Sequence, residues 1–504
     1  MSCRQCVAVG SHDILDLGGY SSARLIGYSD YLLHATQQTR RRMIAGWSRA
    51  YSRQNQLLPY AGTCLSPGTA LRLSNYLDEQ LQAELRRNEL GGAALLSSVL
   101  TTGRNAQALA RVRLSASDAI PTEPALVIGE HWTWWLPPGE PSSPQLPDPN
   151  IPVQTIFRPA LIPLPCTDRT RRLIERCMLT PAHPFLAGAL RLTNPSMNLR
   201  AAARRAGISA SLSELQNWLF YRIASQEMGD VAVAAMITGH VPPIAQTAIH
   251  YTHMETVEIH AQLMQALVGF DTIQSSTPLP PLDLGSRYAP SMDQLHRLTS
   301  RLAAPLQRPA RHKRRDWVET HNAITLHTCL MSLFAAGFRP AARLIPSSRG
   351  IDPITGFLII DDKPLADNFK SRLLWMPTAL REQLAHYEAH LEILRSKIAI
   401  AADPIPFLIE PSHAQIRLTP RIIRSVVRDA LGYSRANAGR HFLRTQLRGK
   451  LSSEALNALL GHWLAGEEPW GEKSGLDPLA YRRELSLHLD PLIQRAGWKP
   501  LRGL

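Results

Sequence analysis

A mainly α-helical fold with short β hairpins (α+β) is predicted by three observations. Long apolar runs have helical character, as in Leu326–Phe334, which ends shortly before Arg339. Short β-prone runs come in pairs, Phe357–Lys363 with Ser371–Pro377 and Ala125–Ile128 with Pro159–Pro163. One spacing also occurs twice: Leu219-Phe220-Tyr221-Arg222 stands 18 residues before His240, and His441-Phe442-Leu443-Arg444 stands 18 residues before His462. A repeated block predicts a duplicated unit.

Taken in order, residues 1–75 carry the basic stretch Thr39-Arg40-Arg41-Arg42-Met43 and read as an N-terminal arm or a DNA-clamping remnant. Residues 76–269 form a helix-rich section leading to Arg104, then the strands at 125–128 and 159–163 around a Pro-rich loop, 137–152. Trp132, Trp134 and Trp135 are expected to pack in that hairpin rather than to stack on bases. Helices follow over Leu199–Ala206 and Ala232–Ile237. Residues 270–315 read as a linker, first rich in Pro and Ser (Ser275–Pro290) and then basic. The C-terminal domain spans 316–504.

The chain has 504 residues, enough for several cores, and a formal charge of +14. A pI near 9.8 favours a polyanionic partner. Residues 295–315 hold seven Arg or Lys and no acid, and residues 421–450 hold eight with only Asp429 opposing them. Such clusters suit phosphates; Arg311, Lys313, Arg314, Arg315, Lys370 and Arg440 are the candidate DNA contacts. Six scattered cysteines make no disulfide framework, and Cys3-x-x-Cys6 lacks the second pair a zinc site needs. No apolar run is long enough to span a membrane and no secretory leader is evident, so a cytoplasmic, nucleoid-associated protein is expected.

The order Arg339, Lys363, His441, Arg444, His462, Tyr481 carries the strongest signal. With the fragments Ala335-Ala336-Gly337-Phe338-Arg339, His441-Phe442-Leu443-Arg444 and Leu460-Gly461-His462, it resembles the tyrosine recombinase (phage integrase) superfamily. The resemblance implies a recombinase-like catalytic domain that cuts and rejoins double-stranded DNA through a 3′-phosphotyrosine. In that scheme Tyr481 attacks, and Arg339 and Arg444 grip the non-bridging oxygens with His462. Lys363 protonates the leaving 5′ oxygen, with Lys370 a second candidate, and His441 handles the tyrosine proton. No cofactor or metal is implied. The expected assembly is a homo-tetramer on paired sites, or one built with companion recombinases.

The sequence departs from the family pattern in two places. Nineteen residues separate His462 from Tyr481, about twice the usual spacing, and the helix between Arg444 and His462 is about a turn short. The upstream copy reads as degenerate, because Leu219 stands where a histidine belongs and no lysine precedes Lys313. Its Tyr251, 11 residues after His240, is a second candidate nucleophile. Two other functions stay open. One is a catalytically inactive DNA-binding accessory protein of the same fold, and the other is a type IB topoisomerase-like enzyme.

Overall fold

The computed structural model describes residues 64–504, except 84–86, 118, 140–160, 179–182, 227–228, 242, 274–278, 308–315, 341–343, 362–370, 402–403, 434–436, 464–468 and 471–473. It is mainly helical with short hairpins. The buried apolar residues fall into two large cores, one running from Leu65 to Leu284 and the other from Tyr288 to Trp498.

In the first unit, α1 (Pro67–Gln82) and α2 (Arg87–Thr102) pack together, followed by the short α3 (Ala106–Ala110). A four-stranded sheet comes next: β1 (Arg113–Ser115), β2 (Ala125–Val127), β3 (Thr133–Leu136) and β4 (Ile162–Pro165), adjacent in that order. The expected partners at 125–128 and 159–163 therefore do not pair with each other. Both flank β3, whose Trp134 is sealed in the core and whose Trp135 packs on Val127 and Leu161. Then come α4 (Asp168–Cys177), α5 (Leu186–Ala189), α6 (Pro195–Arg205), α7 (Leu212–Ala224), α8 (Val231–Thr238), α9 (Pro243–Tyr251) and α10 (Thr256–Leu267).

The second unit repeats this plan. α11 (Met292–Gln307) and α12 (Trp317–Ala336) pack together, and the hairpin of β7 (Phe357–Ile360) and β8 (Arg372–Trp375) precedes α13 (Thr378–Arg395). A second hairpin, β9 (Phe407–Ile409) with β10 (Gln415–Arg417), leads to α14 (Pro420–Leu431), α15 (Ala438–Leu447), α16 (Ser453–Leu460) and α17 (Pro478–Arg495). The packing repeats with the order: α2 touches α4 and α7 as α12 touches α13 and α15, and α7 touches α8 as α15 touches α16. Both α8 and α16 end on a left-handed glycine, Gly239 and Gly461, each followed by a histidine.

Two expected boundaries are corrected. Leu65, Ala70 and Leu73 belong to the first core, so the arm does not extend to residue 75; residues 1–63, with the basic stretch 39–43, lie outside the described residues. Residues 270–315 are not a linker throughout. β6 (Asp283–Gly285) pairs antiparallel with β5 (His253–Glu255), and α11 sends Leu295, Leu298, Leu302 and Leu306 into the second core. That helical spacing of leucines outweighs the basic and Pro-containing composition. Among the described residues, no helix is long and apolar enough to cross a membrane.

A chain of buried histidines fixes the C-terminal segment. Leu504 N–H donates to His390 Nδ1 at 3.1 Å, so His390 Nε2–H donates to His321 Nδ1 at 3.1 Å and His321 Nε2–H donates to Phe407 O at 3.0 Å. His327 Nε2–H donates to Lys499 O at 3.0 Å. Burial pushes all three imidazoles down to about 4; beside His390, His321 adds to the effect. Because the native state holds them neutral while the unfolded chain protonates near 6.5, their contribution is complete above about pH 6.5. It is lost as pH falls through about 4. Urea unfolding at pH 7 and pH 4.5 is expected to show a large fall in midpoint at the lower pH. Equal midpoints would rule out buried neutral histidines.

Candidate active site at the junction of the two units

α12 ends at Gly337, whose φ of 64° turns the chain toward the partly exposed Arg339. Helix C-termini leave carbonyls without partners inside the helix. Two buried guanidiniums satisfy them here. Arg372 Nη1 donates to Leu459 O at 2.5 Å and its Nη2 to Gly337 O at 3.2 Å. Arg440 Nη1 also donates to Gly337 O, at 3.2 Å, and its Nη2 donates to Leu460 O. The ends of α12 and α16 are thus stitched together by planar forks, which a lysine cannot reproduce. Gly461 has φ 65°, and a Cβ there would stand 2.6 Å from Arg372 Cδ. Only glycine fits that turn.

His462 follows directly. Arg440 Nη2–H donates to its Nε2 at 3.0 Å, which leaves the ring proton on Nδ1. Burial, then Arg440, Arg444, Arg339 and Arg372, hold this imidazole well below its ordinary pKa. It is a neutral ring inside a strongly positive cluster. Its Nδ1 is shielded from solvent and has no hydrogen-bond partner among the described residues.

The first unit supplies the other wall. α9 ends on Tyr251, whose ring centroid lies 4.4 Å from that of His441 and 4.7 Å from that of His462. The Arg440 guanidinium carbon lies 5.4 Å from the centre of the same ring. Asn437 Nδ2 donates to Tyr251 Oη at 3.3 Å. His441, itself 1% exposed, shares a 2.7 Å hydrogen bond between Nδ1 and Ser286 Oγ, and His250 packs 5.6 Å from its ring. Tyrosine, histidines and arginines converge where the two units meet.

Of the residues expected from sequence, Arg339, His441 and His462 are brought together, and Arg440 joins them as an interior member rather than an exposed DNA contact. Arg444 also stands close enough to His462 to depress its imidazole, but its fork is engaged elsewhere. Its Nη2 donates to Asp230 Oδ2 at 2.6 Å and its Nε to Thr252 Oγ1 at 3.2 Å, so its fork faces the first unit. Arg440 stands 22 residues before His462, about one helical turn further than Arg444.

Tyr481 is held in the core within electrostatic reach of Arg372. It has no exposed surface, its hydroxyl donates to Leu373 O at 3.0 Å, and its ring packs on Phe357 and Trp470. Burial drives its phenol pKa up, which opposes attack as a phenolate. The first turn of α17 lies against β8, so this tyrosine is part of the core. Lys363, Lys370, Arg311, Lys313, Arg314 and Arg315 lie outside the described residues.

Arg372, Asn437 and Ser286 were not anticipated. For Arg372 the signal was a lone charge in the apolar strand Arg372-Leu373-Leu374-Trp375. For Asn437 it was a polar residue three before Arg440, the same interval that separates His441 from Arg444.

The corresponding place in the first unit is closed. Arg104 is buried and donates to Ile237 O at 2.7 Å, and burial lowers its pKa to about 9. A Cβ on Gly239 would fall 1.7 Å from Arg104 Nη1, so the guanidinium fills the turn. Trp218 stands 22 residues before His240, as Arg440 stands 22 before His462. Arg222, the counterpart of Arg444, donates to Ala266 O at 3.1 Å. No family model, curated protein or solved structure matches the chain.

Proposed function

We propose that this chain is a site-specific DNA recombinase that cleaves and rejoins DNA through a 3′-phosphotyrosine, with Tyr251 as the attacking residue. The observation that carries the reading is the convergence of Tyr251 on Arg440, His441 and His462. Tyr251 Oη attacks the scissile phosphorus as the bond to the 5′ oxygen breaks. His441 accepts the phenol proton, and Asn437 steadies the developing phenolate by the hydrogen bond it already makes. Arg339 and Arg440 neutralise the pentavalent centre, where positioned charge lowers the barrier most. His462 presents its Nδ1 proton to the same charge. Lys363, or Lys370, is assigned the leaving-group proton by resemblance alone. The bond energy stays in the phosphotyrosine, so a 5′ hydroxyl from another strand reverses the step without a cofactor. A tetramer on paired sites and a nucleoid-associated, cytoplasmic setting belong to this proposal.

Arg421, Arg424 and Arg428 support the choice of DNA as partner. All three lie exposed on α14, opposite the buried Ile423 and Val427. Replacing the three with alanine is expected to weaken DNA binding equally across sequences. The log–log salt slope should flatten by roughly 0.9 for each phosphate no longer neutralised. An unchanged slope in a salt titration would remove α14 from the interface.

The deciding experiment traps the protein on nicked duplexes drawn from the DNA flanking its own gene. A denaturant-resistant adduct on particular sequences is the expected result. An adduct on any sequence would favour the topoisomerase-like reading. Tight binding without an adduct would favour the accessory protein, a reading to which the near-complete burial of Arg372 and Arg440 lends weight.

A further inference from the structure

We propose that Arg444, Asp230 and Thr252 form a clamp between the two units that places Tyr251 against the arginine–histidine cluster, so that the clamp governs whether the site is assembled. This rests on Tyr251 being the attacking residue. α15 holds three consecutive residues of the first unit. Thr445 Oγ1 accepts from His253 N–H at 3.1 Å and donates to Tyr251 O at 3.5 Å, while Arg444 Nε donates to Thr252 Oγ1 at 3.2 Å. One turn further on, Arg448 Nη2 donates to Glu258 Oε2 at 2.8 Å.

The anchor is Asp230. Its Oδ1 caps α8, accepting from Ala232 N at 2.7 Å and Val233 N at 3.3 Å, while its Oδ2 takes the Arg444 fork at 2.6 Å. The two side chains are 5% and 0% exposed, so neither charge has water to fall back on. A buried pair of this kind holds its geometry because separating it strands both charges. The carboxylate is fixed to one helix and the guanidinium to another, and Arg444, anchored by Asp230, holds the neighbour of Tyr251. Arg444 is thereby a positioning residue: it touches Thr252 and Asp230.

The test compares the full-length protein with Asp230→Asn, Thr252→Val, Thr252→Ser and Tyr251→Phe. Asparagine keeps the helix cap while removing the charge. Valine removes the hydroxyl that Arg444 grips, and serine restores it. Asp230→Asn and Thr252→Val are expected to bind DNA with unchanged affinity. Their single-turnover adduct formation should be roughly a hundredfold slower, as expected for a misplacement of about 1 Å. Amide exchange over residues 248–254 should quicken in both, while residues 324–336 stay protected. Thr252→Ser should restore both readouts.

Wild-type rates and wild-type exchange in Asp230→Asn and Thr252→Val would overturn the clamp. If Asp230→Asn does not fold, the Val and Ser variants at 252 decide the matter. An adduct that survives Tyr251→Phe would instead overturn the choice of nucleophile, and the exchange measurement would still decide whether the clamp exists.

Discussion

Tyr251→Phe is expected to abolish the covalent protein–DNA adduct while leaving DNA affinity unchanged. The substitution removes one oxygen and keeps the ring that packs against His441, His462 and Arg440, so the junction should stay assembled. Without the phenol there is no oxygen to form the phosphodiester. Tyr481→Phe should behave in the opposite way. That hydroxyl donates to the part-buried Leu373 O, so its loss removes a hydrogen bond and costs about 1 kcal/mol of stability. The adduct should still form. Gel analysis of both variants on one nicked substrate checks the pair, and an adduct lost only in Tyr481→Phe would return the nucleophile to α17.

Arg440→Lys is expected to lower the single-turnover cleavage rate by about 10²–10³, the range seen when one preorganised donor to a transition-state oxyanion is lost. Its fork reaches three acceptors on two different turns, Gly337 O, Leu460 O and His462 Nε2. An ammonium is a point charge without that fixed geometry and cannot serve all three. His462 would also lose the partner that keeps its proton on Nδ1. Stability should fall too: Gly337 O keeps its bond from Arg372, but Leu460 O loses its donor, and a carbonyl left buried and unpaired costs about 1–3 kcal/mol. The check is a rate measured at saturating DNA alongside a urea midpoint. A rate close to wild type, in a protein of reduced stability, would confine Arg440 to a structural role.

Much of the architecture was legible in the residues. The β7–β8 hairpin, the helices α6 and α8, and the repeated spacing before each Gly-His pair all lie where local pattern puts them. The different partners of the two arginines on α15 were not. Arg440 and Arg444 lie one turn apart on the same helix, so periodicity gives both the same claim. The choice is made by what lies opposite, His462 for one and Asp230 for the other.

The tyrosine was ambiguous for a similar reason. No local signal tells that α9, from one unit, packs on α15 of the other. The segment before α12 misled by composition, because Pro305 and the exposed Arg297 and Arg301 of α11 hide a regular row of leucines within it. Arg372 was hidden by its strand, where a charge is tolerated only because two helix-end carbonyls receive it.

The closure of Arg104 on Ile237 O, with Trp218 in the place of an arginine, bears on how many molecules a reaction requires. Under the proposed function, a chain with two folded units but one arginine–histidine cluster would engage one scissile phosphate. Under the proposed chemistry, exchanging two duplexes breaks four strands and so needs four chains, or eight folded units. Half of those units would serve as holders, each lending its tyrosine to the neighbour encoded in the same polypeptide. Mixing active protein with the Tyr251→Phe variant should then lower complete exchange in proportion to the fourth power of the active fraction, because a defective chain cannot borrow its missing residue from another.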